Sequence, residues 1–108
     1  MELTVVETNN APAAIGPYSQ AMQLGDLIFT SGQIPLTPEG KLIEGDIEKQ
    51  THQVIRNVQA VLEAGGSDLL QVIKVTLFIK EMNQFQEINA VYSEYFIDHK
   101  PARSCVEV

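Results

Sequence analysis

Apolar and polar residues alternate along the chain with two different periods, which together predict five strands and two helices. Near the amino terminus, Leu3–Val6, Tyr18–Leu24 and Leu27–Gly32 are predicted to be extended. The last two are joined by Gly25 and Asp26, a two-residue connection typical of a β-hairpin. Farther along, "VIKVTLFIK" alternates cleanly and predicts a long strand with one face on a core. "RSCVEV" predicts a final strand at the end of the chain.

Two segments have apolar residues at steps of three and four, the spacing of an amphipathic helix. The first helix is predicted to follow Asp46 as its cap and to end at a Gly-Gly pair, with Gly65 in the left-handed position. Its opposite face is predicted to be solvated and carries Glu48, His52, Arg56, Gln59 and Glu63. The second helix is predicted to be capped by Asn83, with Gln86 three residues on, and to end before Pro101. Its apolar stripe comprises Phe85, Ile88, Tyr92, Tyr95 and Phe96.

The order of these elements predicts an α+β domain in which both helices cover one face of one sheet. The other face is predicted to be mixed, with Met22, Lys74, Thr76 and Phe78. Because such a face is neither fully polar nor covered by its own chain, we expect it to bind further copies of the chain. On the final strand, Arg103 and Cys105 are predicted to point away from the helices.

Length and composition narrow the class of protein. The sequence has 108 residues and is 44% apolar, values typical of a single globular domain. No apolar run approaches the roughly 18 residues that span a bilayer, and the amino terminus lacks a signal peptide pattern, so no membrane partner is expected. With one cysteine, Cys105, no intrachain disulfide can form, which suits a reducing compartment and favours a cytoplasmic location.

The charge of the chain argues against nucleic acid as the main partner. The formal net charge is −7, and only seven residues are Lys or Arg. These are spread along the whole chain, whereas nucleic-acid-binding proteins normally gather their basic residues into a patch that neutralises phosphates.

The sequence has none of the common catalytic motifs, such as a glycine-rich phosphate loop, H-E-x-x-H or a nucleophile elbow. His52 and His99 are not spaced as metal ligands, so the histidines do not predict a metal site. Arg103 has two interpretations: a surface arginine in an ion pair, or a planar, permanently charged group that binds a carboxylate through two hydrogen bonds.

Other polar residues also have alternative interpretations. Asn89 lies on or beside the apolar stripe of the second helix, where it either satisfies a buried backbone group or contacts a ligand. Cys105 is interpreted as a structural cysteine, because no base is evident that would form its thiolate. Tyr18, with Ser31 and Gly32, lies near the predicted hairpin, and each either serves turn structure or offers contacts to a ligand.

Several motifs together resemble the RidA family, also called the YjgF family. They are "APAAIGPYSQA", "FTSGQIPLTPEGK" and "PARSCVEV", and the helical segments between them are similar to that family too. The resemblance covers residues 1–108 as one domain. It implies a chorismate-mutase-like α+β fold of the Bacillus type, a homotrimer with clefts between subunits, and no cofactor or metal. The implied activity is hydrolytic deamination of reactive 2-enamino and 2-imino acids, such as 2-aminoacrylate, to 2-oxo acids and ammonia.

The resemblance also implies roles for particular residues. Arg103 matches the arginine that binds the substrate carboxylate, and Tyr18 matches a tyrosine of the cleft. The other matching positions, implied to contact or line the substrate site, are Ser31, Gly32, Asn89 and Cys105. The cysteine is implied to contribute its backbone and not a nucleophilic thiol.

Members of the RidA family continue into one more strand, with a glutamate implied to orient the attacking water. The given sequence ends at Val108 and is expected to lack that strand. Glu107 is not expected to replace the glutamate, because four strand residues place it roughly 13 Å from Arg103. The alternatives are therefore a deaminase, a small-acid-binding regulatory protein that acts on metabolic enzymes or a repressor, and a ribonuclease, against which the acidic charge argues.

Overall fold

A computed structural model describes all 108 residues of the chain and has five strands and two helices. The elements, in chain order, are β1 (Leu3–Val6), β2 (Ala21–Leu24), β3 (Leu27–Thr30), α1 (Ile47–Ala64), β4 (Lys74–Ile79), α2 (Phe85–Tyr95) and β5 (Ala102–Glu107). Short 3₁₀ turns at Leu69–Gln71 and Met82–Gln84 precede β4 and α2. The predicted number and order of strands and helices are therefore confirmed.

The strands form two separate ladders, so the prediction of one continuous sheet is wrong for this chain. Strands β1, β2 and β3 pair antiparallel in sequence order, whereas β4 and β5 pair parallel. Parallel neighbours cannot be joined by a tight turn, and α2 supplies the crossover between them. In this parallel pair, Val75 lies opposite Arg103 and Leu77 lies opposite Cys105.

The predicted β-hairpin is confirmed, although its strands are shorter than expected. Leu24 pairs with Leu27 across the connection, and Gly25 has a φ of 57°, which suits the first central position of a type II′ turn. The first strand of the hairpin begins at Ala21 and not at Tyr18. The backbone N–H of Tyr18 instead donates a 2.8 Å hydrogen bond to the carbonyl oxygen of Gly16, which closes a tight turn there.

Both ends of α1 lie where the sequence predicted, but the left-handed glycine at its carboxyl end is the second of the pair and not the first. Asp46 Oδ1 accepts hydrogen bonds of 3.0 and 3.1 Å from the backbone N–H groups of Glu48 and Lys49, as expected of a cap. The left-handed residue is Gly66, at a φ of 86°, and not Gly65, at −89°. Gly65 lies close to β3, where a Cβ would be 2.7 Å from Cδ1 of Ile28, so a larger residue at position 65 would require that side chain to shift.

The beginning of α2 differs from the prediction. No side chain caps α2, and the 3₁₀ turn Met82–Gln84 includes Asn83, the residue predicted to cap it. Glu107, at the end of β5, accepts a 2.6 Å hydrogen bond from the backbone N–H of Met82. A carboxylate from the neighbouring strand therefore stabilises the segment that leads into the helix, which the local sequence could not reveal.

Both helices pack on the inner side of the strands. One buried cluster joins α1 and α2 and comprises Ile55, Leu62, Leu69, Tyr92 and Phe96. A second joins α1 to the amino-terminal strands and comprises Val6, Ala11, Ala21 and Val61. Ile28 packs against both clusters, so β3 connects the two halves of the interior.

The outer side of the strands has exposed apolar side chains, as the sequence predicted. We call this surface the open sheet face and define it by Leu3, Val5, Phe29, Phe78 and Val106. Phe78 is 69% exposed and Phe29 is 61% exposed. Apolar area of this kind on adjoining strands is typical of a protein–protein contact.

Candidate functional site

Arg103 lies on the helix-covered side of β5, and the prediction that it points away from the helices is wrong. In the parallel ladder it shares a face with Val75, which packs against the core. Its guanidinium carbon lies 5.3 Å from the ring centroid of Phe85 and 4.7 Å from that of Tyr92. A cation can occupy this side because aromatic faces attract it. Val106, which points to the opposite side of β5, is on the open sheet face.

Asn89 fixes the direction of the arginine. Nη1 of Arg103 donates a 2.7 Å hydrogen bond to Oδ1 of Asn89. Phe85, Asn89 and Tyr92 are spaced along one face of α2, so a single helix face presents all three contacts. No carboxylate forms an ion pair with Arg103. The guanidinium is therefore held by uncharged groups and keeps its positive charge available for an anion.

Tyr92 supplies its ring to this arrangement while its hydroxyl has no partner. The residue is only 8% exposed, and its hydroxyl oxygen is buried without a hydrogen bond. Burial raises the pKa of the hydroxyl above its usual value, and the positive charge of Arg103 partly opposes that shift. Tyr92 therefore stays neutral at physiological pH and does not compensate the charge of Arg103.

An open cleft of about 350 Å³ adjoins the guanidinium. We call it the arginine cleft; it is lined by Asn89, Tyr92, Ser93, Phe96, Lys100, Pro101 and Arg103. Two of the seven basic residues of the chain line it, and none of the fourteen acidic residues does. In a protein with a net charge of −7, this local excess of positive charge favours an anionic ligand.

Tyr18 and Gly32 line a second, smaller cavity of about 70 Å³, which we call the loop pocket. Tyr18 is 51% exposed at its edge. Ser31 is adjacent, and its hydroxyl donates a 2.6 Å hydrogen bond to the carbonyl oxygen of Ser19. The loop pocket and the arginine cleft share no lining residue. Within one chain, the candidate residues thus form two groups, Arg103 with Asn89 and Tyr18 with Ser31 and Gly32.

Two buried amides hold the loops of the loop pocket, and the sequence interpretation missed both. Gln20 makes hydrogen bonds with the backbone of Thr8 and Pro12, which fixes the segment before Tyr18. Asn57, 1% exposed, donates to the carbonyl oxygens of Ile34 and Leu36 at 3.3 and 2.8 Å. A polar residue on the covered side of α1 was the available signal, because a buried amide needs specific partners.

Cys105 and Glu107 occupy structural positions beside the site. Cys105 is a free, partly buried thiol on the same side of β5 as Arg103, and it lines neither cavity. The carboxylate of Glu107 is engaged by the backbone N–H of Met82. Neither residue therefore lies against the arginine cleft.

His52 has a contact that the prediction of a solvated helix face did not anticipate, and His99 is also engaged. Nδ1 of His52 lies 2.7 Å from the hydroxyl of Tyr95, which links α1 to α2. Nε2 of His99 lies 2.6 Å from the carbonyl oxygen of Val72. No group of three His, Cys, Asp or Glu side chains is placed to hold a metal ion. No helix has the length and apolar character needed to cross a membrane.

The chain is similar to known sequences along almost its whole length. The model of the family described as Endoribonuclease L-PSP matches residues 8–108. The chain belongs to this family. The endoribonuclease L-PSP family is the RidA family of the sequence motifs, so the predicted membership is confirmed. The α+β, chorismate-mutase-like fold class is confirmed by its solved structures.

Individual members of the family are closely similar along nearly the whole chain. Protein HMF1 of Saccharomyces cerevisiae is 54% identical over 106 residues, covering 98% of this chain and 82% of that protein. The 2-iminobutanoate/2-iminopropanoate deaminase of Escherichia coli is 46% identical over 106 residues, covering 95% of this chain and 83% of that protein. The crystal structure of Escherichia coli TdcF with bound serine has a TM-score of 0.92 at 44% identity, covering 97% of this chain and 85% of that one.

Proposed function

We propose that this chain hydrolyses reactive 2-enamino and 2-imino acids, such as 2-aminoacrylate and its 2-imino form, to 2-oxo acids and ammonia. The observation that carries the proposal is the Arg103 guanidinium, which is fixed by Asn89 and two aromatic rings yet has no carboxylate partner. The related Escherichia coli deaminase, whose name states this activity, supports the same conclusion. The cytoplasmic location inferred from the single cysteine stays a prediction.

In the proposed reaction, Arg103 binds the substrate carboxylate through its planar, permanently charged fork. A water oxygen forms a bond to the imine carbon, the carbon–nitrogen bond breaks, and the nitrogen leaves as ammonia after taking up protons from water. Because the imine carbon is adjacent to the carboxylate, holding the carboxylate also fixes the position of the reacting carbon. The main contribution of the protein is then orientation, which can supply a large part of a rate enhancement.

A coupled assay tests this proposal. A serine or threonine dehydratase generates the enamine, and loss of the imine and formation of the 2-oxo acid are followed with and without the chain. We expect Arg103→Ala to lower kcat/KM by about 100-fold, since the anchored carboxylate loses its charged partner. Arg56→Ala, on the exposed face of α1, is the matched control and should leave the rate unchanged. Equal activity of Arg103→Ala and the unaltered chain would contradict the role of Arg103.

We also propose that the chain forms a homotrimer through the open sheet face and that its two cavities meet across subunits. Support comes from the exposed Phe29 and Phe78 and from the resemblance to trimeric proteins. Light scattering should show a smaller assembly for Phe78→Glu, whereas Leu70→Glu, an equally exposed apolar residue outside that face, should leave the assembly intact. Mixing and reassociating inactive Arg103→Ala and Tyr18→Ala chains should restore partial activity if one site draws on two subunits. Full retention of the assembly in Phe78→Glu would argue against this interface.

The position of Glu107 outside the arginine cleft favours a second candidate function. In this function the chain binds small acids without hydrolysing them and has a regulatory role. The carboxylate of Glu107 accepts a hydrogen bond from the backbone N–H of Met82 and does not line the arginine cleft, where it would have to lie to orient a water molecule. The two functions differ in the coupled assay. A chain that binds 2-oxo acids by calorimetry but does not accelerate imine loss would be a binding protein, and measurable turnover would establish the deaminase.

A further inference from the structure

A second basic residue, Lys100, lies at the rim of the arginine cleft. The proposed hydrolysis of a small imino acid does not require it. Lys100 lines the cleft together with Arg103, and it is exposed. It forms no ion pair with any carboxylate of the chain. The guanidinium of Arg103 can bind one carboxylate through two hydrogen bonds. The ammonium of Lys100 is then available to bind a second charged group.

The backbone around Lys100 is anchored on both sides, while its side chain is not. On one side, Nε2 of His99 lies 2.6 Å from the carbonyl oxygen of Val72. On the other, the backbone N–H of Ala102 donates a 3.1 Å hydrogen bond to the carbonyl oxygen of Ile73 at the start of the ladder. The flexible stem of Lys100 thus projects from a fixed point at the edge of the cleft, and its ammonium can follow ligands of different length.

The size and lining of the cleft suit a ligand larger than a three-carbon acid. The cleft has a volume of about 350 Å³, and no acidic residue lines it. Among the residues that one chain contributes to the cleft, a second carboxylate meets only neutral groups and a cation, so these residues do not repel it.

Resting on the proposed function, we infer that the preferred ligands of the arginine cleft are dicarboxylic: four- or five-carbon 2-imino or 2-oxo acids with a second carboxylate at the far end. Arg103 binds the carboxylate beside the imine or oxo carbon, and Lys100 binds the distal one. The hydrolysis is unchanged in its bonds, with water adding to the imine carbon and ammonia leaving, and the product is a 2-oxo dicarboxylic acid.

Calorimetry with two five-carbon acids of equal length tests the inference without requiring turnover. The acids are 2-oxoglutarate, with a distal carboxylate, and 2-oxopentanoate, with a methyl group in its place. We expect the unaltered full chain to bind 2-oxoglutarate about two- to fivefold more tightly, the range for one exposed ion pair. The preference should decrease when the salt concentration is raised from about 0.05 to about 0.5 M, because the screening length becomes shorter and exposed charges attract each other less.

Variants assign the preference to particular side chains. Lys100→Met should bring the ratio of the two dissociation constants close to one, whereas Lys49→Met, an exposed lysine on α1, should leave the ratio unchanged. Arg103→Met should weaken both acids. Equal affinity of the unaltered chain for the two acids, or a ratio that Lys100→Met does not alter, would overturn the inference and leave the proposed function standing. Failure to bind either acid would count against both.

Discussion

Nη1 of Arg103 on β5 donates a 2.7 Å hydrogen bond to Oδ1 of Asn89 on α2. The acceptor is an uncharged amide, so the arginine is oriented without losing its net charge. An aspartate at the same position would orient it equally well and also neutralise it. The choice of an amide is therefore consistent with an arginine that binds a ligand and is not part of a structural ion pair.

Substitutions of Asn89 should separate orientation from charge. We expect Asn89→Ala to raise KM about tenfold, with a smaller effect on kcat, because the guanidinium loses a charge-assisted hydrogen bond. Asn89→Asp should raise KM further, since its carboxylate competes with that of the substrate for Arg103. Steady-state kinetics check both variants, with Gln86→Ala on the exposed side of α2 as control. A lower KM in Asn89→Asp than in Asn89→Ala would contradict this account.

Because the hydroxyl of Tyr92 is buried, we expect the protein to become less stable at alkaline pH than a variant that lacks this hydroxyl. Its pKa is raised in the folded state by burial, so the folded protein holds this proton more tightly than the unfolded chain. The free energy of unfolding should therefore fall as pH rises above about 10, the usual value for tyrosine. Below that pH this residue should have no effect on the pH dependence. Tyr92→Phe should remove the alkaline component.

Urea denaturation of the two proteins between pH 7 and 11 measures this component. At pH 7, Tyr92→Phe should be as stable as the unaltered protein or up to about 1 kcal/mol more stable, because it eliminates an unpaired buried hydroxyl. Tyr92→Leu is the contrasting variant and should be less stable by about 1–3 kcal/mol, since it leaves a cavity. Parallel pH profiles for the unaltered protein and Tyr92→Phe would refute the prediction.

Asn57 of α1 should stabilise the loop pocket through its hydrogen bonds to Ile34 and Leu36, which line that pocket. Removing its amide in Asn57→Ala leaves the carbonyl oxygens of Ile34 and Leu36 without their partner, and we expect a loss of about 2–3 kcal/mol in the free energy of unfolding. Hydrogen exchange should also become faster in the segment around Leu36. Gln53→Ala is the control. It removes only the hydrogen bond that Gln53 donates to Oδ1 of Asn57, and it should lower the free energy of unfolding by less. Similar losses in the two variants would argue against a specific role.

Glu107 should contribute to stability and not to the chemistry. Glu107→Ala removes the acceptor of the Met82 N–H, and we expect a loss of about 1 kcal/mol. Glu107→Gln keeps an acceptor oxygen and should recover most of that loss. Imine hydrolysis should proceed at the same rate in all three proteins when each is folded. A rate that falls in Glu107→Gln without a change in stability would point to a chemical role.

Local sequence signals predicted the elements but not the contacts between distant ones. The helix α1, its Asp46 cap and the hairpin at Gly25 follow from residues within a few positions of each other, and all three are confirmed. The start of α2 was wrong because its stabilising carboxylate, Glu107, is 25 positions away in the chain. Such a contact depends on the parallel pairing of β4 with β5, for which the pattern of apolar residues gives no register.

The candidate site was predictable to a similar extent. Arg103 and Asn89 each stood out as polar residues in apolar surroundings, and the resemblance to the RidA family assigned them to one site. The face of Arg103 was wrong because alternation in "RSCVEV" fits both orientations, and the decision rests on Phe85 and Tyr92, which attract the cation. Gln20 and Asn57 were missed because their partners are backbone groups of irregular segments, whose path the pattern of apolar residues does not predict.

The segment from Phe85 to Arg103 contains the arginine, its amide partner and both aromatic rings, all within one helix and the strand that follows. The loop pocket, in contrast, also depends on Asn57 of α1, whose amide donates to the carbonyl oxygen of Leu36, 21 positions away in the chain. Because the arginine, its amide partner and both rings lie in one contiguous stretch, exchanging that stretch between relatives would transfer the arginine site as a unit and leave the loops unchanged.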